Sequence, residues 1–380
     1  MTFPHVRVSG GPRERGEGYG EQARARIATS IAAYREVFAA YTGWTWEEVR
    51  AQAERYRAPI AAFDARYVTE MEGIAAGAGV DLLDVLAINV RTEVMLSAKA
   101  RMAEASGRVG KECSAFAVLP AASADGHVLA GQNWDWLPHC HDTVVILEAE
   151  QDEGPNFVTA VEAGLLAKTG MNSSGIAVLT NALVTDEDRG EPGIPYHLLL
   201  RAFLDAETMS DALATAQRGF RSSSANYVLA GRDGLAVDLE VTPGDYSRIF
   251  LTFPEDGVLL HTNHFGTPAF DRKDASLWFA PDSPFRLERL REAVRAARPG
   301  LTLDTFRAAL ADHANFPSAL CCHPDQRLRP VDQSSTVVTV LMDVTDARIW
   351  VADGHPCEVP FRELDVARLL AKESPLRRPA

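Results

Sequence analysis

From residue 19 to residue 41, Tyr19, Ala23, Ile27, Ile31, Tyr34, Phe38 and Tyr41 recur every three or four positions, the spacing of one helix face. Thr45 and Glu48 form a capping box ahead of Val49, Ala53 and Tyr56. Pro59 is expected to kink or end that helix. Another helical stretch runs to Gly77-Ala78-Gly79, and Asp81 caps one more through about Met95. Lys99 to Lys111 is small, polar and basic, which predicts an exposed linker. The pattern changes at Cys113. Ser114–Leu119 reads as a buried strand, Asp125-Gly126 as a hairpin turn and Val128–Trp136 as the returning strand. Further strands are expected at 143–147, 157–161, 176–180, 227–230, 235–241, 248–251, 258–261, 335–344 and 348–351, with helices near 196–217, 284–297 and 303–313. Strand runs separated by groups of helices predict an α+β layered sandwich.

Composition narrows the class only modestly. The chain has 380 residues, 46% of them hydrophobic and 24% charged, enough for a large core. No segment approaches the roughly 18 apolar residues of a membrane span, and Met1–Arg7 lacks the apolar stretch of a signal peptide, so a cytoplasmic protein without a membrane partner is expected. The net charge of -14 is uneven: residues 1–112 carry 15 basic and 15 acidic groups, the remainder 23 and 37. An anionic body disfavours nucleic acid and favours a neutral or cationic substrate. Five cysteines, Cys113, Cys140, Cys321, Cys322 and Cys357, are an odd number in a long chain and predict no disulfide framework.

Four groups of residues carry candidate chemistry. Glu112-Cys113-Ser114 puts a thiol where the linker meets a strand; taken alone, a small core residue is the commoner fate of such a cysteine. Gly131-Gln132-Asn133-Trp134-Asp135-Trp136 lies on the hairpin partner, which would return Asp135 beside Cys113. Thr169–Asn181 contains the turn Asn172-Ser173-Ser174-Gly175. His261-Thr262-Asn263-His264-Phe265 ends a strand.

With Gly11-Pro12-Arg13-Glu14-Arg15-Gly16 before them and Cys322-His323-Pro324 after, these motifs resemble in order and spacing the acyl-CoA:isopenicillin N acyltransferase family of autoproteolytic N-terminal-nucleophile hydrolases. They are similar, more distantly, to bile-salt hydrolases and penicillin V acylases. The resemblance implies a four-layer αββα sandwich and an inactive precursor cut between Glu112 and Cys113. Residues 1–112 would then be a helical pro-segment retained beside a catalytic chain of residues 113–380, as a heterodimer. A new N-terminus would supply an α-amine, whose ordinary pKa is roughly 7.7–8.0, to take the thiol proton. By resemblance Cys113 is the nucleophile, Asp135 positions the amine, Asn263 donates its side-chain amide to the oxyanion and Asn181 stands at a second oxyanion position. Gln132, Trp134, Trp136, His264 and Phe265 are the expected substrate contacts. Two departures stand out: Gln132 replaces an arginine of the bile-salt hydrolases, and Glu112 replaces a glycine common in relatives. A late arginine is also implied, with Arg329 and Arg348 as unassigned candidates. The substrate would be a small amide or thioester, with no cofactor.

Other readings are a non-catalytic ligand-binding scaffold of the same fold, or an acyl-CoA-dependent N-acyltransferase in place of a hydrolase. A serine hydrolase lacks its G-x-S-x-G. No metal is expected. His139-Cys140-His141 and Cys321-Cys322-His323 show no zinc-ligand spacing, and neighbouring residues cannot all reach one tetrahedral ion.

Overall fold

The computed structural model describes residues 2–95 and 113–372. The predicted linker and Glu112 lie outside them. Four helices fill the first part: α1 (Pro12–Thr42), α2 (Trp46–Phe63), α3 (Ala65–Ala78) and α4 (Leu82–Asn89), with residues 91–95 again helical. All seven residues of the predicted α1 stripe are buried, each large one stabilising the fold by about 1.5–3 kcal/mol. Helices α1 and α3 pack backbone against backbone. A Cβ on Gly16 would lie 2.2 Å from the Glu70 carbonyl oxygen, and one on Gly77 2.1 Å from that of Glu17. Pro59 does not end α2. The helix runs on to Phe63 because Tyr56 and Ile60, on either side of the proline, are both buried and packing holds the turn together.

Two sheets form the centre. Their strands are β1 (His5–Gly10), β2 (Cys113–Val118), β3 (Leu129–Trp136), β4 (Val144–Gln151), β5 (Phe157–Glu162), β6 (Thr169–Asn172), β7 (Ile176–Ala182), β8 (Ala225–Gly231), β9 (Leu235–Val241), β10 (Ile249–Thr252), β11 (Val258–His261), β12 (Ser335–Asp343), β13 (Arg348–Ala352) and β14 (Arg362–Glu363). One sheet has eight strands in the order β1-β4-β5-β6-β7-β8-β9-β10, the other six in the order β11-β2-β3-β12-β13-β14. The later helices are α5 (Tyr196–Leu204), α6 (Met209–Gln217), α7 (Ser283–Ala297) and α8 (Leu303–Leu310). Strand alternation sorts β2 between two cores. Cys113, Ala115 and Ala117 join the core between the sheets. Phe116 and Val118 join an outer core with α7 and α8, where Phe116 stacks on Phe306 at 3.6 Å. Helices α1 and α5 pack on the eight-stranded sheet. The result is helix, sheet, sheet, helix, the expected αββα order.

Several elements differ from expectation. Strand β1 is not among the predicted strands; it pairs in parallel with β4, so His5–Gly10 belong to the sheet of the body. Thr169–Asn172 is a strand as well as the lead into its turn. The helix expected over 196–217 is two, α5 and α6, the second capped by Thr208 accepting from the Asp211 amide. Among the described residues, no helix is long and apolar enough to cross a membrane.

Candidate active site

Four strand ends meet at one edge of the sandwich. Cys113 opens β2, Asp135 and Trp136 close β3, Ala182 closes β7 and Asn263 lies two residues past β11. Antiparallel pairing dictates this meeting: Cys113 pairs with Trp134, and His261 with Ala115. Cys113, Asp135, Trp136, Ala182 and Asn263 line one cavity together with Lys168, Tyr196, His197 and Phe279. Arg91, Thr92 and Met95 complete its wall, so the segment before the linker contributes directly to it.

Cys113 is held at both backbone groups. Its N–H donates to Asn263 Oδ1 at 2.6 Å, and its carbonyl accepts from Arg286 Nη1 at 2.7 Å. Its Sγ lies 3.9 Å from the Asp135 carbonyl oxygen. Burial pushes the thiol pKa up, and Lys168 is the strongest influence drawing it back down. The Lys168 ammonium sits 4.6 Å above the Trp134 ring, and burial lowers its own pKa to about 8. Sequence reasoning missed Lys168. Its signal was a lysine closing the apolar run Ala163-Gly164-Leu165-Leu166-Ala167.

Arg286 was also missed. On α7 it lies on the buried stripe with Ser283, Leu287, Leu290 and Val294, and a charge at a core position was the available signal. Its Nε donates to Asp282 at 2.5 Å, Nη1 also reaches Ser114 Oγ at 3.0 Å, and Nη2 reaches Asn263 Oδ1 at 3.0 Å. The candidate late arginines lie elsewhere: Arg329 is exposed and pairs with Asp332, and Arg348 is exposed and pairs with Glu363.

Asn263 faces Cys113 with its oxygen. The Cys113 and Arg286 N–H groups require an acceptor there, while Nδ2 donates to the Ala182 carbonyl at 3.0 Å. The expected donation from Nδ2 to an oxyanion is therefore not the arrangement of this continuous chain. Asp135 does not touch the Cys113 nitrogen. Its Oδ1 accepts from Thr336 at 2.5 Å and its Oδ2 has no hydrogen-bond partner among the described residues. Burial raises its pKa to about 8, so it is largely protonated at neutral pH. Asn181 is buried, with Nδ2 3.4 Å from the His261 carbonyl oxygen and Oδ1 unpartnered among the described residues.

Of the expected substrate contacts, Trp136 lines the cavity, with Arg91 stacked over it at 4.2 Å. Gln132 instead joins the two sheets, accepting from the Thr180 amide at 2.8 Å. Trp134 lies beneath Lys168. His264 bonds Ser283 Oγ at 2.7 Å, and Phe265 stacks on Phe270 at 3.8 Å; both are drawn away from the cavity by these local contacts. Arg91 is neutralised by Glu162 at 3.4 Å, which also accepts from Tyr34 at 2.9 Å. Neither Cys/His group stands alone: Glu162 meets His139 and Cys140, and His313 and Cys357 meet Cys321 and His323.

A family model described as acyl-coenzyme A:6-aminopenicillanic acid acyl-transferase matches residues 122–357, well over half the chain, including Asp135, Asn181 and Asn263. The chain is 27% identical over 359 residues to the 40 kDa form of acyl-coenzyme A:6-aminopenicillanic-acid-acyltransferase of Emericella nidulans, covering 93% of each chain. It is 25% identical over 324 residues to an uncharacterized protein of Archaeoglobus fulgidus, covering 75% of this chain and 52% of that one. Solved structures similar to it include a mutant conjugated bile acid hydrolase from Clostridium perfringens (TM-score 0.45, 11% identity, 69% of this chain and 95% of that one). Penicillin V acylase from Agrobacterium tumefaciens is another (TM-score 0.43, 15% identity, 69% and 89%).

Proposed function

The chain belongs to the acyl-coenzyme A:6-aminopenicillanic acid acyl-transferase family, and from that premise we propose that it is a self-processing cysteine enzyme that transfers or hydrolyses the acyl group of a small amide. The observation that carries this reading is the seating of Cys113: a strand-opening cysteine in the wall of a cavity, its amide on Asn263 and its carbonyl on Arg286. In processing, Cys113 Sγ attacks the Glu112 carbonyl carbon, the C–N bond breaks and the nitrogen takes a proton. Water then hydrolyses the thioester, leaving Glu112 as a carboxylate and Cys113 with a free amine.

That amine, with an ordinary pKa of roughly 7.7–8.0, is the base for the thiol. As an ammonium it offers N–H groups that one amide N–H lacks, and the unpartnered Asp135 Oδ2 is the nearby acceptor to receive one. A cation there lowers the Asp135 pKa, so the carboxylate ionises when cleavage makes it useful. The thiolate attacks the substrate carbonyl, the amine leaves with a proton, and water or a second amine takes the acyl group. In this reading Asn263 donates to the oxyanion once its Nδ2 is turned from Ala182, and Arg286, bonded to the Cys113 carbonyl, Ser114 and Asn263, positions the nucleophile. In the cavity wall Arg91 is paired with Glu162 and burial holds His197 neutral, which leaves Lys168 as the cation among the described lining residues to meet an anionic group of a substrate.

Arg91, Thr92 and Met95 in the cavity wall, β1 in the larger sheet and Tyr34 bonded to Glu162 argue that residues 1–112 stay bound after cleavage. The test is intact mass and N-terminal sequencing of the purified protein, before and after incubation with a panel of acyl amides and thioesters. Two copurifying chains, the second beginning Cys-Ser-Ala-Phe, and an acyl adduct on it are expected. A fully active uncut chain would refute the proposal.

A further inference from the structure

Beside the start of β12 in the six-stranded sheet, four side chains from separate stretches converge. We propose that His313, Cys321, His323 and Cys357 form a structural zinc site. Two thiolates with two imidazoles are a ligand set for tetrahedral zinc. Zn–S near 2.3 Å and Zn–N near 2.0–2.1 Å require tetrahedral edges of about 3.8 Å between sulfurs, about 3.5 Å between sulfur and nitrogen and about 3.3 Å between nitrogens. The observed edges are 3.5 Å for Cys321 Sγ to Cys357 Sγ and 3.1 Å for His313 Nε2 to His323 Nε2. Those from His323 Nε2 are 3.5 Å to Cys321 Sγ and 3.4 Å to Cys357 Sγ. All four ligand atoms lie within 4.8 Å of one another.

The surroundings suit an ion. The Cys321 amide donates to the Asp312 carbonyl and the His323 amide to that of Pro317, each at 3.0 Å, which folds the loop after α8 so that its three ligands face the loop carrying Cys357. Glu358 lies 3.9 Å from His323 Nδ1, placed to orient the imidazole as carboxylates beside zinc-bound histidines do. His355 stacks on His323 at 4.0 Å but stays out of the ligand set, because Ser335 holds its Nε2 at 2.9 Å and Glu358 its Nδ1 at 3.1 Å. Binding Zn²⁺ releases the two thiol protons and leaves both imidazoles neutral, so the site carries no net charge. The ion would fix the register of two loops. Cys322, between two ligands, accepts from the Thr336 amide and donates its own amide to Thr336 Oγ1 at 2.8 Å; Thr336 Oγ1 in turn donates to Asp135.

The sequence spacing His313-x₇-Cys321-x-His323-x₃₃-Cys357 matches no short zinc motif, and the expectation of no metal rested on that. The full chain, purified without chelator and in a reducing buffer, should contain about one zinc by elemental analysis. Replacing the ion with Co²⁺ should give the visible bands of tetrahedral cobalt and a thiolate charge-transfer band. EDTA should lower the melting temperature, with Zn²⁺ but not Mg²⁺ restoring it. Cys357→Ser and His313→Ala should each lose the bound zinc on dialysis. Three results overturn the proposal: no zinc after reconstitution with no cobalt bands, a Cys321–Cys357 disulfide in protein purified under reducing conditions, or zinc kept in full by Cys321→Ser/Cys357→Ser. If the variants fail to fold, the cobalt spectrum of the wild type decides.

Discussion

Two groups of cysteines beside one sheet lie in different surroundings. Cys113 is a single buried thiol whose pKa burial raises, with Lys168 and Arg286 the cations that draw it back down and, close by, a carboxyl oxygen of Asp135 unpartnered among the described residues. Cys321 and Cys357 are a pair, and the groups that meet them are two histidines. On the proposed readings, the lone sulfur becomes a nucleophile once cleavage supplies its amine, whereas two sulfurs facing two imidazoles share an ion. The difference lies in what the fold brings around each sulfur.

The strongest way to break this contrast is Cys113→Ala. It should abolish cleavage and turnover, leaving one chain of about the 41.3 kDa of the whole sequence by intact mass while zinc content stays unchanged. Residual turnover would move the nucleophile elsewhere. Next, Asn263→Ala should cost on the order of 10²–10³ in kcat with a smaller effect on KM, as loss of an oxyanion donor does, and Arg286→Ala should lower kcat by releasing the Cys113 carbonyl and Asn263. Circular dichroism serves as the control for folding. A change in KM alone would make them binding residues.

A smaller effect is expected at Lys168. Lys168→Met removes the largest influence drawing the Cys113 thiol pKa down, so the pH profile of Cys113 alkylation should move to higher pH. No movement would remove Lys168 from the site. The smallest effect concerns pH and stability, measured in the uncut Cys113→Ala chain. The folded pKa of Asp135, about 8, lies above its unfolded value of roughly 3.9. The native state therefore binds the extra proton between those values, and stability is lost as pH rises from about 4 to about 8. Asp135→Asn removes that loss, so denaturation midpoints should show the variant gaining on its parent from pH 5 to pH 8. An unchanged difference would show that the carboxyl is already ionised.

Much of the site was legible locally. Asp135 returns beside Cys113 because a hairpin turn at Asp125-Gly126 and two apolar runs predict antiparallel pairing. Lys168, Arg286 and Arg91 were not legible as a set. Lys168 and Arg91 each follow an apolar run and Arg286 sits on the buried stripe of a charge-rich helix, and they meet only when the second sheet, α7 and the helical turn at 91–95 are assembled.

Strand and helix periods, the change of character at Cys113 and the motif order that marks the family are legible in the chain, because these depend on neighbours a few residues apart. Which atom of Asn263 faces Cys113, that Gln132 ties the sheets together, and that His313, Cys321, His323 and Cys357 converge emerge when the elements pack. Those outcomes depend on donors and acceptors supplied from stretches tens to hundreds of residues away, whose pairing no local spacing encodes.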